Sequence, residues 1–252
     1  FELLSFAFSP LFSGGADTIS FPNAGKSLCI QPDAGVRLVL ANNGHYAGST
    51  VVNTDTLFLG NGDSLGCLPG GTTDLRNNAV LVINKSRNTV MGSAITGTGS
   101  VWIRNNSFVS FRSSNPYTYT GVTRIDTGAT LVMAPVKTTS GPLGNIDVYG
   151  TLRIDRVDLW GSASASSSAK ITVFPGGRLY TNRSFSTIVN PVLAGGSVFM
   201  LGGASASWKS LQIKGGLNVT ENSVIGADNV DGLTGMIFTN APVDVAAGKT
   251  LR

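Results

Sequence analysis

The sequence predicts an all-β fold in which short strands coil into a β-solenoid, and three observations carry that expectation. Gly, Ser, Thr and Asn together supply 102 of the 252 residues, whereas charged residues make up only 13%. An average soluble domain carries about twice that charge. Hydrophobic residues still reach 42% along the whole chain, enough to bury a core rather than leave the chain disordered. One pattern also recurs: alternating β-branched residues, a Gly-containing bend, then a second alternating run.

Helices have little to build on, because Glu occurs only at Glu2 and Glu221 and Lys only seven times. No apolar run approaches the roughly 18 to 20 residues of a membrane helix. From the N-terminus, FELLSFAFSPLF sets Leu4, Phe6 and Phe8 on one face of a strand until Pro10 interrupts it. Residues 1–12 are therefore expected to cap the coil or to be donated to a neighbouring subunit, since open sheet edges invite pairing. Residues 13–252 are expected to form one rod. Two-strand units read at Cys29–Leu40, Thr123–Met133, Ile146–Ile154, Ile171–Thr181 and Val243–Arg252. Bends fall at Gly128, Gly150, Gly177, Gly196 and Gly216, near-regular except for a longer step between Gly150 and Gly177. That recurrence suits one coil per repeat. Ile125, Leu131, Val148, Leu152, Val173 and Leu179 are the expected inward ladder. About twelve rungs at about 4.8 Å each would give a rod roughly 55 to 60 Å long. The Ser/Ala run Ser162–Ala169 reads as a loop leaving that rod.

A longer repeat lies over the short one. His45–Leu59 (HYAGSTVVNTDTLFL) aligns with Thr118–Met133 (TYTGVTRIDTGATLVM), pairing Tyr46 with Tyr119, Gly48 with Gly121, Thr50 with Thr123 and Leu57 with Leu131. A Leu-Gly step follows each copy, at Leu65-Gly66 and Leu143-Gly144. The segment Ile95–Pro135 resembles the passenger-associated transport repeat of bacterial autotransporters, through Gly97, Gly99, Asn115, Tyr119, Thr120, Gly121, Thr123, Ile125, Gly128 and Leu131. The earlier copy keeps Asn43, Tyr46, Gly48, Thr50 and Val52 but has Asp55 near the place of the bend Gly. The two copies and their flanks cover about residues 38–155. The resemblance implies a right-handed parallel β-helix, exported by a bacterium and displayed outside the cell, with an outer-membrane barrel elsewhere in the full-length protein. It also implies that the repeats assist folding and secretion. The chain starts at Phe1 and stops at Arg252 within an alternating stretch, as expected of a piece of something longer.

Chemistry is sparse. The net charge of +4 is spread without a Lys/Arg run, so no nucleic-acid partner is expected. Cys29 and Cys67 are too few for a disulfide framework, and spacing leaves open whether they are bridged or free. His45 is the single histidine, which removes any His-based metal cluster and reads as a loop side chain. Glycosidic cleavage needs two carboxyl groups about 5 to 10 Å apart, and the nearest sequence pairs are Asp155/Asp158 and Asp228/Asp231. The first pair is flanked by Arg153 and Arg156, and the second lies in an Asn/Gly-rich turn. The single Gly60-Asn61-Gly62-Asp63 run is a turn rather than a calcium repeat. Tyr117, Tyr119, Trp102, Trp160 and Trp208 are the aromatic residues from which a sugar platform would be built, with Tyr119 better explained by packing.

No catalytic residue, cofactor or metal site is expected. The favoured reading is a non-enzymatic surface rod, an adhesin or structural fibre component. It would contact a host or neighbouring-cell surface or glycan and could associate end to end. The alternatives are a secreted β-helix carbohydrate-active enzyme and a toxin passenger.

Overall fold

The computed structural model describes residues 4–6, 28–30, 37–40, 49–64, 66, 68, 72–76, 78–86, 88–112, 116–134, 141–155, 170–181, 186–201, 209–228, 234–239 and 242–252. Among these residues every regular element is a β-strand, and every strand pairing is parallel. The longest sheet stacks ten strands in chain order. It runs from Arg37–Leu40 through Thr56–Leu59, Val80–Asn84, Ser100–Arg104, Thr123–Ile125, Ile146–Val148, Ile171–Val173, Val192–Ala194 and Leu217–Glu221 to Val243–Val245. A seven-stranded sheet forms a second side, from Asn88–Met91 through Phe108–Phe111, Thr130–Met133, Thr151–Ile154, Arg178–Thr181 and Ser197–Leu201 to Val224–Asp228. The remaining side holds five strands early in the chain, from Leu4–Phe6 to Ala94–Gly97, and three later, Ser186–Val189, Lys209–Lys214 and Thr234–Thr239. The chain is a parallel β-solenoid.

Register measures the coil. The shortest step of the ten-stranded sheet pairs Arg37 with Thr56, and the longest pair Val192 with Asn218 and Leu217 with Val243. The other steps of this sheet fall between those limits. The expectation of about twelve rungs is too high. The 25 described strands fill four sheets, about six to a sheet and ten in the longest. Dividing chain length by twenty overlooks residues spent at the corners, which lengthen the coil without adding a level.

The interior is the predicted ladder. Ile125, Leu131, Val148, Leu152, Val173 and Leu179 are all buried, in one cluster with Leu57, Leu81, Val101, Leu193 and Val219. Strands alternate because successive side chains point to opposite faces. Thr123–Ile125 buries Thr123 and Ile125 and exposes Arg124. Tyr117 and Tyr119 replace a strand on the third side at their level. Tyr117 stacks on Phe111 at 4.3 Å and donates its hydroxyl to the Met91 carbonyl at 2.7 Å. The Tyr119 hydroxyl lies 2.6 Å from Thr123 Oγ1, and burial holds its phenol well above the usual range.

Three local expectations change. The repeat copies do not occupy equivalent places: Thr50 is on the five-stranded sheet and Thr123 on the ten-stranded one. Leu57 and Leu131 are likewise on different sheets. Linear alignment cannot tell which of three sides a strand joins. Of the predicted bends, Gly128 takes a left-handed φ of 82°, but elsewhere that conformation belongs to the residue before, at Gly176, Gly195 and Gly215. At Gly150 and Gly177 the constraint is close approach, since a Cβ would fall 2.3 Å from the Asp126 carbonyl oxygen and 2.2 Å from that of Val148. Asp228, expected in a turn, ends the strand Val224–Asp228.

The strand Leu4–Phe6 pairs with Leu28–Ile30 of its own chain, while Phe8 lies outside the described residues. At the other end Val243 and Val245 are 44% and 43% exposed, although their register partners Leu217 and Val219 are fully buried.

Candidate functional site

The outward positions of the ten-stranded sheet gather the richest side-chain chemistry. Trp102 pairs in register with Arg124, Arg124 with Asp147, and Asp147 with Thr172. Two positions further along the chain at each level lie Arg104, Asp126, Tyr149 and Phe174, the last three just past the ends of their strands. Period-two alternation sends both members of each pair outward, and coiling stacks the pairs over four levels.

Charge organises the lower half of this array. Arg104 Nε donates to Asp126 Oδ2 at 3.0 Å, and Arg124 Nε donates to Asp126 Oδ1 at 2.7 Å. One carboxylate therefore holds two guanidinium groups from adjacent levels. Both arginine side chains are 45% exposed, whereas Asp126 is 23% exposed. Asp147, one level on, has its carboxyl pushed above the usual range by partial burial, with Arg124 and Lys170 opposing that shift.

Aromatic rings organise the upper half. The Arg124 guanidinium lies 4.8 Å from the Tyr149 ring centroid and 5.8 Å from that of Trp102. Phe174 stacks on Tyr149 from the next level, with centroids 4.3 Å apart and planes 6° from parallel. Tyr149 is thus covered by Arg124 from one level and by Phe174 from the other. No sugar ring can lie flat on it.

The sequence-predicted residues scatter by comparison. Tyr119, Thr123, Ile125 and Leu131 are buried core, as is Thr50 on another sheet. Gly121 and Gly128 are turn positions beside the coil. Tyr46, Gly48, Asn115, His45 and Cys67 lie outside the described residues, as do Asp158, Asp231, Trp160 and Trp208. Cys29 sits in the strand Leu28–Ile30. The platform loses Tyr117 and Tyr119 to the core, leaving Trp102 on the surface, half-buried. Asp155 is buried and paired with Arg153 at 2.5 Å on the seven-stranded sheet. Among the described residues no three His, Cys, Asp or Glu side chains gather as a metal site.

Linear scanning misses the array because a whole coil of chain separates each member from the next, Trp102 from Arg124, Arg124 from Asp147 and Asp147 from Thr172. Aligning VWIR, TRIDT, IDVYG and ITVFP by coil exposes the columns. Compared with protein-family models, with curated proteins and with solved structures, the chain shows no match in any of the three.

Proposed function

We propose that this chain is a non-enzymatic, right-handed β-solenoid displayed outside a bacterial cell, a passenger-like rod that serves as an adhesin or structural fibre component. The observation that carries the reading is how three of the carboxylates are used. Asp74 pairs with Arg76, Asp126 with Arg104 and Arg124, and Asp155 with Arg153, on three different sheets. Carboxylates tied to cations on separate sides support a scaffold rather than a shared acid–base centre. The Gly/Ser/Thr/Asn-rich composition and the autotransporter-like repeat support display outside the cell. Right-handedness rests on the rule that parallel crossover connections take that hand in about 98% of cases. End-to-end association belongs to the same reading, since unpaired strand edges template pairing with another strand.

Bacterial cells displaying the chain through an outer-membrane barrel test the reading. They are expected to attach to host-cell or glycan surfaces, and attachment no better than that of cells displaying the barrel alone overturns it.

One observation favours the enzymatic alternative: Asp126 and Asp147 stand on neighbouring levels, and the Asp147 carboxyl holds its proton above the usual range. Release of new reducing ends from a polysaccharide, lost in Asp147→Asn, would establish that alternative.

A further inference from the structure

We infer that Arg104 and Arg124, with Trp102 beside them, form a binding site for the carboxylate groups of an acidic polysaccharide. The inference rests on the surface-binding reading above and names the partner that surface would take.

The first argument is the use of donors. Each arginine engages Asp126 through Nε. Among the described residues neither guanidinium makes another hydrogen bond or ion pair, so the four Nη nitrogens retain donors for a ligand. A guanidinium presents its donors in a rigid planar fork that matches a carboxylate in bidentate fashion. Asp126 fixes both forks in advance, which reduces the side-chain entropy lost on binding.

The second argument is charge. Arg104, Arg124 and Lys170 stand against Asp126 and Asp147, an excess of one positive charge when both carboxyls are ionised. That balance suits a polymer bearing one carboxylate per repeating unit. A nucleic-acid backbone needs a basic stripe instead.

The third argument is direction. The row Trp102, Arg124, Asp147, Thr172 runs along the stack at about 4.8 Å per level. An extended glycan lying along that row meets the half-buried Trp102 ring, then the guanidinium pair, then the acceptors Asp147 and Thr172 for its hydroxyls.

Titration of the whole chain with polygalacturonate, with neutral dextran as the control polymer, tests the site. The unmodified chain is expected to bind polygalacturonate saturably and dextran not at all. Arg104→Gln with Arg124→Gln, checked for folding by circular dichroism, should weaken binding about tenfold or more. Because Arg124 also packs on Tyr149, the charge-keeping pair Arg104→Lys with Arg124→Lys provides a second reading. Loss of the fork should weaken binding there too. Arg178→Gln, exposed on the seven-stranded sheet, should leave affinity unchanged. The inference is overturned if the unmodified chain fails to bind, if both double variants bind normally, or if Arg178→Gln loses as much as they do. Cells that attach through a chain that ignores polygalacturonate would overturn this site and leave the surface reading standing.

Discussion

At Gly121 an added Cβ would lie 2.1 Å from the carbonyl oxygen of Gly99, one level away. Backbone cannot yield there as a side-chain tip could, so Gly121→Ala is expected to cost about 1 to 3 kcal/mol. Gly62 has a left-handed φ of 87° but open space around its Cβ position. Gly62→Ala should therefore show only the conformational penalty of about 1 to 2 kcal/mol. Gly128→Val combines both faults, a φ of 82° and Asn106 Oδ1 at 2.1 Å. Urea unfolding should place it below Gly62→Ala, and an unchanged midpoint would remove the turn assignment. Asp147 gives a pH signature. Its carboxyl is raised in the folded state, so the native chain binds more protons between the ordinary and the raised value. Stability therefore falls as pH rises through that window. Asp147→Asn is expected to raise the melting temperature at pH 7. The gain should vanish below the ordinary carboxylate range, where both states are protonated. Single residues were legible where chemistry is local: Gly128, read as a bend, takes a left-handed φ of 82°. The guanidinium pair was not legible, because a full coil of chain separates Arg104 from the Asp126 that holds it beside Arg124.

Strands are legible where alternation is strict. Thr151–Ile154 shows it plainly, and its Leu152 pairs with Leu131 of Thr130–Met133 in the buried ladder. Leu131→Ala should cost about 2 to 5 kcal/mol, measured by thermal or urea unfolding. Because each level contacts only its neighbours, the damage should concentrate in the adjoining strands. Hydrogen exchange would then rise first in Phe108–Phe111 and Thr151–Ile154, the strands that flank it. Which sheet a strand joins was hidden, since that depends on the corners. Copies alike in sequence consequently land on different sides, as Thr50 and Thr123 show.

At the scale of the molecule, parallel stacking was legible from the repeats, while the number of levels was not. Both ends of the stack matter to the association proposed above. Among the described strands, Leu4–Phe6 ends its sheet and Val243–Val245 ends the ten-stranded one. A contact joining these ends would be heterologous and would propagate as a filament. Deleting residues 1–12 is expected to abolish filaments seen by electron microscopy while the remaining strands keep their circular dichroism. Early melting or amorphous aggregation of the shortened chain would instead mark Leu4–Phe6 as a cap and end the filament proposal.

The unequal register steps, short from Arg37 to Thr56 and long from Val192 to Asn218, also make the molecule a ruler under mechanical load. Pulled from one end, a column whose levels hold only their neighbours should come apart one coil at a time. Each detachment would free the chain of a single step, a gain in contour of roughly 65 to 90 Å at full extension. An optical trap should therefore record a staircase of unequal treads whose sizes follow the register order along the chain. A single cooperative rip would mean that the levels are coupled far more tightly than nearest-neighbour stacking allows.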